Sequence, residues 1–209
     1  MTNKGKGVFI IGFTIWIVMF LLTVVLSITQ PRQIAEILGN NQITEFSLHR
    51  EYFSELGEIA VSNEKLYVVY QNMGVIEVYD LEGNYIKSYA YESKGKGHDQ
   101  LTVDKTGLWL KTDHGKVFFI HKDGEITEKS LSEYINIRKE LLPHSETWNV
   151  DSRGAVYQKR IISVYKKMPD GSSEPVIKRP IYCVLAEYII PLNLIVIIVS
   201  FVITKKRGT

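Results

Sequence analysis

The 209 residues are 45% hydrophobic and 23% charged, an average that suits a one-domain globular protein until the apolar residues are located. Two uncharged runs, Val8 to Ile28 and Tyr188 to Thr204, bracket a polar middle, which argues against a soluble cytosolic chain. The formal charge of +2 does not mark a nucleic-acid binder, because five of the 25 basic residues (Lys4, Lys6, Lys205, Lys206 and Arg207) lie at the two ends, and Gln30 to Ala186 carries a net −2. One cysteine, Cys183, excludes an internal disulfide framework and a multi-cysteine metal site.

In chain order, residues 1–7 are expected as a cytoplasmic tail and 8–28 as a transmembrane helix, since 21 helical residues extend about 31 Å, the thickness of a hydrocarbon core. A cleaved signal peptide is the competing reading, but its apolar region is usually shorter, and Ser27-Ile28-Thr29 makes a poor cleavage site.

From residue 30 to 180 the pattern is all-β. Runs rich in Val, Ile, Tyr and Phe are broken by Gly, Asn and Asp: Glu58–Val61, Lys65–Tyr70, Val75–Tyr79, Tyr85–Tyr91, Leu108–Lys111 and Lys116–Ile120. Ile43–His49 could add one outer strand. Leu131–Leu142 instead places Leu131, Tyr134, Ile135, Arg138 and Leu142 at helical spacing, and Pro143 ends it.

An internal repeat organises this region. Val61-Ser62-Asn63-Glu64-Lys65-Leu66-Tyr67-Val68 aligns with Val103-Asp104-Lys105-Thr106-Gly107-Leu108-Trp109-Leu110 and with Val150-Asp151-Ser152-Arg153-Gly154-Ala155-Val156-Tyr157. A second anchor follows each, at Gly83, Gly124 and Gly171, giving units near 57–91, 97–129 and 145–178. Asp followed three residues later by Gly (Asp104/Gly107, Asp151/Gly154) suits a turn in which the Asp side chain caps the backbone and Gly takes a positive φ.

The stretch IAVSNEKLYVVYQNMGVIEVYDLEGNYIKSY resembles the blades of NHL-type six-bladed β-propellers, in which a Val-Asp-x-x-Gly turn precedes a Tyr/Val strand and a Tyr-Asp-x-x-Gly-Asn turn precedes the outer strand. Ser62 and Lys65 depart from that pattern, as do Lys166 and Lys167, where apolar residues would be expected. The expected fold is therefore membrane-anchored and all-β: three propeller-blade-like four-stranded repeats with one inserted helix, between two transmembrane helices.

The second span is expected at 183–204 and a cytoplasmic tail at 205–209. Pro191 and Asn193 interrupt the start of that span, and counting back from Thr204 puts Glu187 about 26 Å away, at the outer interface. The basic ends place both termini in the cytoplasm of a bacterial cell and the β region outside. No cofactor and no metal are expected. His98, His114, His121 and His144 lack ligand spacing, and Asp80-Leu81-Glu82-Gly83-Asn84 reads as a hairpin turn rather than a calcium loop. The expected partners are the lipid bilayer and another membrane or envelope protein, or a second copy, with no nucleic acid. The expected function is a membrane-tethered, extracytoplasmic binding or accessory module; the alternative is a hydrolase or lyase on the same scaffold.

Overall fold

The computed structural model describes residues 3–50, 52, 54, 56–70, 73–94, 99–142, 149–160, 162–180 and 183. The first element, α1 (Asn3–Leu38), is one helix of 36 residues that takes in Lys4 and Lys6 and runs through Pro31. Among the described residues no helix is long and apolar enough to cross a membrane. This overturns the membrane-anchored, two-span fold, and with it the cytoplasmic ends and the extracytoplasmic placement of residues 30–180. The helix does not end with the uncharged run. It continues into Gln30, Arg32, Gln33 and Glu36, and Ile34 and Leu38 are buried in the core of the β region. The second predicted span, with Glu187, Asn193, Lys205, Lys206 and Arg207, lies outside the described residues except for Cys183, which is buried.

Three antiparallel sheets follow. The first has the order β1 (Ile43–Phe46), β5 (Tyr85–Tyr91), β4 (Val75–Asp80), β3 (Lys65–Tyr70), β2 (Leu56–Ser62). The second is a meander of β6 (Gln100–Val103), β7 (Gly107–Lys111), β8 (Val117–His121) and β9 (Ile126–Lys129). The helix α2 (Leu131–Leu141) comes next, and the third sheet is β10 (Val156–Arg160), β11 (Ser163–Lys167) and β12 (Ser173–Lys178). The three expected four-stranded units are thus sheets of five, four and three strands. The extra strand is β1, paired on β5 from Ile43↔Tyr91 to Phe46↔Ser88. In the third unit the first strand is reduced, among the described residues, to a bridge between Val150 and Val156.

The turns follow from short-range chemistry. At Asp80–Asn84 the Asp80 amide donates to the Asn84 carbonyl and the Gly83 amide returns to the Asp80 carbonyl, with Gly83 at φ +90°. The same pair of bonds closes Thr112–Lys116, His121–Glu125, Asp151–Ala155 and Met168–Ser172, with positive φ at Gly115, Gly124, Gly154 and Gly171. This is a type I turn followed by a left-handed residue, a common three-residue hairpin loop. Gly107 is different: no positive φ occurs there, and a Cβ would stand 2.3 Å from the Ile120 carbonyl oxygen, so close strand approach requires the glycine. The first unit turns instead on Asn63 and Glu64, both at positive φ, a two-residue hairpin that needs neither Asp nor Gly at the ends.

In space the order is third, first, second sheet, then α2. One face of the first sheet (Tyr67, Val69, Ile76, Val78, Tyr89) buries against Leu101, Leu108, Leu110, Phe118 and Ile120 of the second. The opposite face (Leu66, Val68, Val75, Tyr79) meets Tyr157, Val164 and Ile177 of the third. β3 and β4, covered on both sides, are accordingly buried along almost their whole length rather than at alternate positions. On its far face the second sheet buries Trp109, Val117 and Phe119 against Tyr134 and Ile137 of α2, whose start is fixed by a capping box between Ser130 and Glu133.

Candidate functional site

Glu77 sits in the middle of β4, opposite Val68 of β3 and Ser88 of β5, and its side chain has no exposed surface. A lone buried carboxylate is costly, so its partners decide whether the strand can form. Oε2 accepts from the Tyr70 hydroxyl at 2.7 Å and from the Tyr79 hydroxyl. Oε1 faces His49 Nδ1 at 3.1 Å and lies 3.4 Å from the Arg50 amide. Four donors from two strands and one loop thus converge on one carboxylate.

An aromatic shell surrounds the group. Tyr52 lies 4.8 Å from the Tyr70 ring and His49 5.0 Å from Tyr85, centroid to centroid. The Arg179 guanidinium sits 4.9 Å from the Tyr70 ring centre while donating to the Ser54 and Tyr52 carbonyls. Burial, and then the Glu77 charge, push the Tyr70 and Tyr52 hydroxyls up, so both stay protonated at neutral pH. His49 opens outward, with 47% of its side chain exposed. Its neighbour Arg50 reaches Gln33 of α1 at 2.6 Å, so the cluster joins helix, loop, first sheet and the end of β12.

A second polar group lies where the first and second sheets meet. Glu58 of β2 accepts from the Leu101 amide of β6 at 2.6 Å, and burial pushes its carboxyl above the ordinary range although that bond and Arg138 and Lys159 pull it down. Asp99, also raised by burial, accepts from the Tyr91 hydroxyl at 2.6 Å and the Asp113 amide at 2.9 Å. Among the described residues no group of three His, Cys, Asp or Glu side chains could hold a metal ion.

The residues singled out from sequence are not drawn into one site. Gly83, Gly124 and Gly171 lie in three separate hairpin turns, and Asp151 and Gly154 share a fourth. At Asp104, burial is outweighed by bonds from the Thr106 and Trp109 side chains and the Thr106 and Gly107 amides, so its carboxyl lies below the usual range. Among the histidines weighed, His121 packs on Phe119 and His114 contacts Asp113 at 3.0 Å, while His98 and His144 lie outside the described residues. Sequence reasoning passed over His49 and Glu77. The available signal was Glu77 itself, a carboxylate in the run Val75-Ile76-Glu77-Val78-Tyr79, in which its neighbours on either face are apolar or aromatic.

No family model matches the chain, and no curated protein matches it. Among solved structures it is similar to a streptogramin B lyase, at 18% identity over 64% of this chain and 43% of that one, with a TM-score of 0.31. It is also similar to a catalytically inactive virginiamycin B lyase from Staphylococcus aureus with quinupristin, at 20% identity over 64% and 44%, with a TM-score of 0.30. The chain spans less than half the length of either lyase, and likeness at this level carries no argument for a shared activity.

Proposed function

We propose that this chain is a non-catalytic binding module, a stack of three sheets that presents sheet faces and turns to a protein partner. The observation that supports it is that the fold consumes its own buried carboxylates. Glu77 is engaged by Tyr70, Tyr79, His49 and the Arg50 amide, Asp99 by Tyr91 and the Asp113 amide, and Glu58 by the Leu101 amide. A general acid or base must keep a proton or lone pair within reach of substrate, and these groups direct theirs inward.

One observation favours the runner-up, a hydrolase or lyase. His49 is anchored by Nδ1 to a buried carboxylate while the rest of the ring is half open, the arrangement of an oriented general base. His49→Ala separates the two readings. In a binding module it leaves capture of a protein partner intact and there is no turnover to lose. Turnover of an ester, glycoside or lactone panel by the wild-type chain, abolished in His49→Ala at an unchanged melting temperature, would establish the enzyme instead.

A further inference from the structure

The outer face of the third sheet, turned away from the first sheet, is cationic among the described residues. The strands β10–β12 contain five Lys or Arg residues and one acidic residue, Glu174. The inward row takes Tyr157, Val164, Lys166 and Ile177 into contact with the first sheet. Glu174 is exposed but stands opposite inward-turned Lys166, so the register sets it on the other side of β12 from the outward rows. The register places Arg160, Ser163 and Lys178 in one outward row, Gln158, Tyr165 and Pro175 in the next, and Lys167 in a third. The Arg160 guanidinium lies 4.0 Å over the Tyr165 ring, which fixes both on this face. Arg160, Lys167 and Lys178 are exposed, and none of them forms an ion pair among the described residues.

A polar outer face would by itself serve only to cap a stack of sheets. A cap needs no particular sign, yet this face holds three cations, no carboxylate, and a Tyr–Pro pair at its centre. Rows two residues apart along a strand are about 6.6 Å apart, so the two charged rows flank the apolar one at about 13 Å from end to end. An extended peptide places every second side chain on one face with the same step. Tyr and Arg are also the residues that dominate binding at protein interfaces, and a stacked guanidinium keeps its edge free for a bidentate carboxylate. We propose that this face docks an acidic protein segment in extended conformation, with the pattern acid-x-apolar-x-acid. The apolar residue lies over Tyr165 and Pro175, and the two carboxylates meet Arg160/Lys178 and Lys167. The proposal rests on the binding-module reading and names the surface and the partner class.

The test uses the full chain and a synthetic peptide of that pattern, with binding followed by fluorescence anisotropy at low and at physiological salt. The double variant Lys167→Glu/Lys178→Glu should weaken binding at least tenfold without moving the melting temperature. Lys105→Glu/Lys122→Glu, at exposed turns of the second sheet, should leave binding unchanged. Equal weakening by both doubles, a permuted peptide with adjacent acids binding as tightly, or displacement of the peptide by phosphatidylglycerol vesicles would each overturn the proposal. So would absence of peptide binding by the wild-type chain. The broader reading fails separately, through turnover that depends on His49.

Discussion

The first sheet holds its two neighbours by different means. Toward the second sheet it offers apolar side chains that interdigitate with Leu101, Leu108, Leu110, Phe118 and Ile120, and a polar contact joins the edge strands β2 and β6. Toward the third sheet the apolar contact is smaller and is supplemented by donors reaching main-chain carbonyls. Tyr157 and Lys166 both donate to Leu81, Lys159 to Leu56, and Arg179 to Ser54 and Tyr52. Apolar contact is tolerant of small displacements, whereas hydrogen bonds to fixed carbonyls are not. The second sheet is therefore held by area and the third by alignment.

Gly83 is the sharpest place to break that alignment. It has φ +90°, and a Cβ would stand 2.0 Å from the Val176 carbonyl oxygen of β12. Gly83→Val combines backbone strain with a clash against main chain, at a cost of about 2 to 6 kcal/mol. Chemical denaturation should show the loss, and amide exchange should place it first in β10–β12. Leu108→Ala attacks the other interface at a fully buried position and should cost about 2 to 5 kcal/mol, with cooperative loss of both the first and second sheets.

Glu77→Gln comes next. The amide retains one acceptor oxygen but turns two N–H donors toward a site built from donors, at about 1 to 3 kcal/mol by thermal unfolding. Gly124→Val sets the scale for a turn that meets only side-chain ends and no main chain: φ is +97° and the nearest atom to a Cβ is the flexible Lys87 Nζ at 3.2 Å. Strain alone then remains, about 1 to 2 kcal/mol. If Gly83→Val costs no more than Gly124→Val, the approach of β12 does not matter to stability.

The smallest expected effect is in pH. Burial pushes Glu58 and Asp99 up, so the folded chain holds protons there more tightly than the unfolded chain, and stability rises as pH falls through the window just above the ordinary carboxylate value of about 4. At Asp104 and Asp151 hydrogen bonds outweigh burial and hold the carboxyls low, so stability falls again as pH drops below that value. Urea midpoints across this range should pass through a shallow maximum, and Glu58→Gln should flatten its neutral side.

Much of the β architecture was legible because it is local. The glycine turns at Gly83, Gly124 and Gly171 are set by residues within four positions, and α2 announces itself through its period. The contacts that complete the fold are long-range. Lys166 looked out of place in a strand because its acceptor, the Leu81 carbonyl, lies 85 residues away. His49 and Glu77 are 28 apart, and no short pattern links them. The ends of α1 were misplaced because absence of charge was used as a boundary, and the helix does not stop at charge: Lys4, Lys6, Arg32 and Glu36 all lie within it.

Native-state hydrogen exchange across the full chain tests the contrast between the two interfaces most directly. The account predicts that amides of β10, β11 and β12 open together at a lower free energy than those of β3, β4, β7 and β8, and that Lys166→Met widens the gap. Exchange of all three sheets in a single cooperative step, unchanged by Lys166→Met, would contradict it.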